Sequence, residues 1–149
     1  MSKGNTFENE LLALIFTNAN IPNVGDATGL RGSSAVGSLH LALHTADPGE
    51  AGDQTTSECN YTGYARVAVG RSGTNFTVAA NAVTLAAAQS FPNPTNLTNL
   101  PQTATHFSIG TAASGAGKIL YKGAVTPNIV ISNTGSTPQL GTGTQVTED

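Results

Sequence analysis

The chain has 149 residues, a length that fits one domain and lets it bury about 70% of the surface its unfolded form exposes. Charged residues make up 10% of it and the formal net charge is −3; the few basic residues are scattered, give no stripe to track a phosphate backbone, and argue against a nucleic-acid partner. The single cysteine, Cys59, cannot close an intrachain disulfide, and no Cys/His set has the spacing of a zinc site.

Residues 6–16 read as the one clear helix. Phe7, Leu11, Leu14 and Ile15 recur at helical spacing, and Asn5 followed by Glu8 has the form of a capping box. The apolar patch from Leu11 to Phe16 follows Glu8 and Glu10 and is too short to cross a bilayer, so neither a signal peptide nor a membrane partner is expected. Residues 17–37 then dissolve into Asn, Pro and Gly, a long connection of a length that compact domains keep for functional or interface loops.

Short strand-like runs follow at 38–45, 64–69, 76–78, 83–86, 105–110, 119–125 and 128–132. In the first, Leu39, Leu41 and Leu43 alternate with His40, Ala42 and His44, the period of a half-buried strand. The linker 90–102, SFPNPTNLTNLPQ, carries Pro92, Pro94 and Pro101, which cannot donate to a ladder, and reads as an ordered loop or a crossover. The expected fold is mainly β, an antiparallel β-sandwich or barrel in a single domain 1–149, with a β core at 38–132 and an extended C-terminal arm at 133–149.

Four stretches resemble chemistry. Asp47, Glu50 and Asp53 suggest a calcium loop, yet their spacing lacks the alternating oxygen ligands of the helix-loop-helix motif, while Asp47-Pro48-Gly49 supplies a turn without any ion. His40 and His44 share a strand face about 13 Å apart, too far to bind one metal ion, and with His106 they read as structural histidines. Gly115-Ala116-Gly117-Lys118 lacks the first glycine and the final hydroxyl of a phosphate loop and reads as a hairpin turn; Gly70-Arg71-Ser72-Gly73 falls one residue short of a nucleophile elbow. No catalytic residue, metal ligand or cofactor site follows. Arg66, between apolar neighbours in GYARVAV, needs an acid, and one from the 47–58 loop, with Asp47, Glu50 and Asp53 as candidates, would hold that loop down.

LHLALHTADPGEAG, GYARVAV, NAVTLAAAQSFP and ATHFSIGTAASGAGKILYKGAV follow one another in the order and spacing of a family of small tailed-bacteriophage virion proteins, and residues 7–16 match its opening helix of the form LENxLLxxIF. The chain resembles this family over residues 7–125, and departs from it in the 21–37 insertion and in the C-terminal stretch. The resemblance implies a β-rich structural protein without catalysis, located in the virion.

The leading expectation is a decoration, or cement, protein on the capsid surface, a homotrimer whose partners are the major capsid protein and itself. The alternative is a tail fibre or tail-tip component that meets the host surface, and a further one is a calcium-dependent carbohydrate-binding module built on the loop acids. The expected interface lies at the chain ends: Phe7, Leu11 and Phe16 of the helix, Ile21, Val24 and Leu30 of the loop, and Leu140 and Val146 of the tail.

Overall fold

The computed structural model describes residues 2–148. The helix, α1, runs Asn5–Thr17 and buries Glu8, Leu12 and Phe16. The expected capping box does not form. Gly4 is the N-cap in extended conformation, no side chain caps the helix start, and Asn5 already lies in the first turn. At the other end Asn18 adopts φ 60°, the left-handed stop that amide side chains tolerate.

Among the described residues nine strands follow: β1 (Ser38–His44), β2 (Val67–Gly70), β3 (Phe76–Ala79), β4 (Ala82–Leu85), β5 (Gln89–Ser90), β6 (Gln102–Gly110), β7 (Ile119–Ile131), β8 (Gln139–Leu140) and β9 (Gln145–Thr147). They form three sheets with orders β2-β1-β6-β7, β3-β4-β9 and β5-β8. The pairings β1·β6, β6·β7, β3·β4, β4·β9 and β5·β8 are antiparallel, so the chain is mainly β with one short N-terminal helix.

Two compact units make up the chain. The first holds the chain up to Ser38, Gly70–Ala87 and the chain from Gly141 onward. In it α1 packs on β3 and β4, the Phe16 ring meeting Phe76 edge-on at 5.0 Å. Arg71 ties this unit together. Its guanidinium donates to the carbonyls of Leu14 and Ile15 in the last turn of α1, and to Ser33 Oγ and the Val36 carbonyl of the following loop. The helix has no basic residue in its own last turn, so Arg71 supplies the cation that its orphan carbonyls favour.

The second unit holds Leu39–Val69 and Ala88–Leu140 and carries the four-stranded sheet. Leu41, Ala42, Leu43, Ala104 and Ile131 are fully buried there. The runs expected at 119–125 and 128–132 are one strand, β7, across Pro127. Ala104 pairs with Ile129 and His106 with Ala124, so residues 125–128 bulge opposite the single residue Thr105, and a residue with no N–H sits where the ladder is already interrupted. The hairpin turn expected at 115–118 does join β6 to β7, with Thr111 N–H bonded to the Lys118 carbonyl at 3.1 Å.

Within the C-terminal stretch expected as an arm, β8 pairs with β5 and β9 with β4. Leu140 in β8 and Val146 in β9 are 2% and 7% exposed, because each is the apolar residue that its short strand turns inward.

Candidate functional site

The best-built polar cluster lies in the second unit, where the 47–58 loop meets the 111–118 turn. After leaving β1 the chain returns beside its end: Thr45 N–H bonds to the Ser57 carbonyl and Cys59 N–H to the Leu43 carbonyl, each at 2.8 Å. That return forms a bridge between His44 and Glu58 and sets Glu58 within reach of Arg66. Arg66 Nε donates to Glu58 Oε1 at 2.6 Å and its Nη2 to Oε2 at 2.8 Å, a two-pronged pair. Nη1 also donates to the Ala112 carbonyl at 3.0 Å and, more distantly, to Gln54 Oε1 at 3.5 Å, and Nη2 to the Gly115 carbonyl at 2.8 Å. One guanidinium, 2% exposed, thereby holds both loop and turn.

The acid that Arg66 meets is therefore not one of Asp47, Glu50 or Asp53. Asp47 accepts from Gly49 N–H at 2.9 Å, and it and Glu50 share Lys122 at 3.0 and 3.2 Å. Asp53 accepts from Thr55 N–H at 2.8 Å. These local bonds hold the Asp47 and Asp53 carboxyls below their ordinary range, from Gly49 and then Lys122 in the first case and from Thr55 in the second. Asp47 and Glu50 thus converge on Lys122 while Asp53 is taken by Thr55, and among the described residues no group of three His, Cys, Asp or Glu is placed to hold a metal ion.

Gln54 is the residue that sequence reasoning missed. It is fully buried; its N–H bonds to the Gly117 carbonyl at 2.9 Å, its Nε2 donates to the His40 carbonyl at 3.0 Å, and its Oε1 accepts from Ala112 N–H at 3.1 Å. A Cβ at Gly110 or Gly117 would stand 2.2 Å from this amide, so both glycines are required for its seat. The only sequence signal is the pairing of a polar loop residue with glycines at a strand end and in a turn.

The histidines are structural neighbours of this cluster. His44 is buried, with Nδ1 2.8 Å from the Thr56 carbonyl and Nε2 2.8 Å from Ser108 Oγ. A carbonyl only accepts, so Nδ1 carries the proton and Nε2 accepts from the serine. Burial holds the His44 pKa below its ordinary value, and burial followed by the nearby Arg66 charge does the same for His40. On the other side of Cys59 the Tyr61 and Tyr64 rings meet edge-on at 5.3 Å and Tyr64 stacks on Phe91. The Tyr64 hydroxyl accepts from Leu43 N–H at 2.9 Å and Tyr61 donates to the Pro92 carbonyl at 2.8 Å. Burial raises both phenols and pushes the Cys59 thiol up to about 12.

This arrangement holds loops in place, and it presents no activated nucleophile. Of the residues expected at an interface, Phe16, Ile21, Leu140 and Val146 are spent on the chain's own core, while Phe7, Val24 and Leu30 stand 38%, 39% and 44% exposed and Leu11 is half-buried. The model of the family described as "Podophage GP4 fiber I protein gp80" matches residues 2–147. The chain belongs to that family. The gp80 family is one of tailed-phage virion structural proteins, as the resemblance carried by ADPGEAG and GYAR implied. No curated protein matches the chain.

Proposed function

We propose that this member of the gp80 family is a non-enzymatic fibre component of a tailed-phage particle, carried on the tail. The observation that supports this reading is the match of residues 2–147 to a family described as a fiber protein. It favours the fibre alternative over the capsid-cement reading that the sequence first suggested. The polar residues of the second unit brace loops against a β framework. The Arg66–Glu58 pair, sealed on the arginine side, and the buried Gln54 amide hold the 47–58 loop rigidly.

Antibody labelling of whole particles under the electron microscope tests the location. Label on the tail supports the proposal; label spread evenly over the head returns the chain to the cement reading.

A further inference from the structure

In the second unit an open hollow of about 300 Å³ separates Gly49, Glu50 and Gly52, in the loop after β1, from residues 119–122 of β7. The loop wall is nearly bare of side chains. Gly49 takes φ 73°, and a Cβ at Gly52 would stand 2.1 Å from the Pro48 carbonyl, so the turn itself requires both glycines and leaves peptide groups as that wall. Tyr121 and Lys122 line the facing side.

The charges of the hollow are balanced against one another. Lys122 Nζ stands 3.0 Å from Asp47 Oδ1 and 3.2 Å from Glu50 Oε1. Gly49 N–H and then Lys122 hold the Asp47 carboxyl low, and Asp47 and then Glu50 hold the Lys122 ammonium high, so both stay ionised near neutral pH. An ammonium between the two acids repels a metal cation, and two carboxylates around one ammonium repel phosphate or any other anion. A neutral ligand rich in hydroxyls meets neither obstacle, because each hydroxyl can donate to a carboxylate or carbonyl and accept from the ammonium. Glu50 is placed for this: its side chain is 94% exposed, and only its Oε1 meets Lys122. Tyr121, half-buried, is the aromatic residue of the lining, a surface on which the C–H face of a sugar ring packs.

We propose that this hollow is a metal-independent binding site for a neutral sugar, with Asp47, Glu50 and Lys122 taking its hydroxyls and the bare backbone of 49–52 allowing close approach. Small-molecule sites run from about 300 to 1,000 Å³, so a hollow at the lower end suits one ring rather than a long chain. The site rests on the loop and the strand alone, and it stands or falls independently of the fibre reading.

Titration of the isotope-labelled full chain with the methyl glycosides of glucose, galactose, mannose and rhamnose, followed by NMR, tests this. Saturable shifts of the backbone amides at 49–52 and 119–122 are expected with at least one glycoside, in the millimolar range and unchanged by a chelator. Glu50→Gln removes the exposed charged acceptor and weakens that binding about tenfold. The proposal is overturned by the absence of shifts with all the glycosides, by shifts confined to other residues, by binding that a chelator abolishes, or by a stronger response of these amides to phosphate or calcium than to any glycoside. Undiminished binding by folded Glu50→Gln overturns it as well. If that variant does not fold, Lys122→Ala serves in its place and is read in the same way.

Discussion

Glu58 takes two donors of the Arg66 guanidinium at 2.6 and 2.8 Å, eight residues away in sequence, with the pair all but sealed from solvent on the arginine side. Breaking it by Arg66→Met leaves a partly buried carboxylate without its counter-ion and two turn carbonyls, Ala112 and Gly115, without their donor. We expect a loss of about 3 kcal/mol of unfolding free energy by urea titration. Unchanged stability in Arg66→Met would mean that the pair only decorates the loop.

Lys122 offers a contrast. Its partners Asp47 and Glu50 have side chains 52% and 94% exposed, and exposed pairs gain little against solvent and salt. Lys122→Ala is expected to leave the urea midpoint where it is. A marked drop would show that the 47–58 loop depends on this bridge rather than on Arg66.

Gln54 and its two glycines form a coupled set. Gly110→Ala forces a methyl to within 2.2 Å of the Gln54 amide and should cost about 2 kcal/mol through overpacking. Combined with Gln54→Ala, the second loss should fall well short of the sum, because the smaller side chain removes the clash. A strictly additive double variant would place the origin of the glycine elsewhere.

Stability should also depend on pH through the histidines. His40 and His44 have folded pKa values depressed below 6.5, so below that pH the unfolded chain binds more protons than the folded one. Stability is therefore complete above 6.5 and is lost as pH falls towards the depressed values. The urea midpoint should drop between pH 7.5 and 5.5, and His44→Gln should flatten part of that slope while lowering the plateau. A midpoint that rises on acidification would contradict the buried, neutral His44.

Cys59 is 2% exposed with its thiol pushed up to about 12. A thiol-specific reagent at pH 8 should leave the folded chain unlabelled and modify one thiol after denaturation. Rapid labelling under native conditions would show that the 57–61 segment opens.

Much of the framework was legible in the sequence because period and turn chemistry report it directly. The alternation of Leu39, Leu41 and Leu43 gave β1, and the glycines of 115–117 gave the β6–β7 hairpin. Pro127 misled in a specific way: a residue that cannot donate reads as a break, yet a bulge absorbs it and β7 continues. Strands as short as β8 and β9 have no period to read. The only trace of them was an isolated Leu140 and Val146 in a polar tail, and both turn inward. The capping box failed because α1 starts one residue earlier, with Asn5 inside the first turn.

The polar cluster was half visible. A guanidinium between apolar neighbours demands an acid, but nearness in sequence to the Asp47-Pro48-Gly49 turn is a poor guide to which one. The backbone bridge of His44 with Glu58 made the choice, and that is a tertiary fact. Gln54 was invisible because an amide among Gly, Asp and Thr looks like any solvated loop residue until the surrounding carbonyls are in place.

A fibre component on the tail is present in few copies, which can be counted per purified particle against a structural protein of known stoichiometry. The expected number is a small multiple of the tail's rotational symmetry. Hundreds of copies, in proportion to the capsid shell, would contradict it and make the chain a head decoration protein.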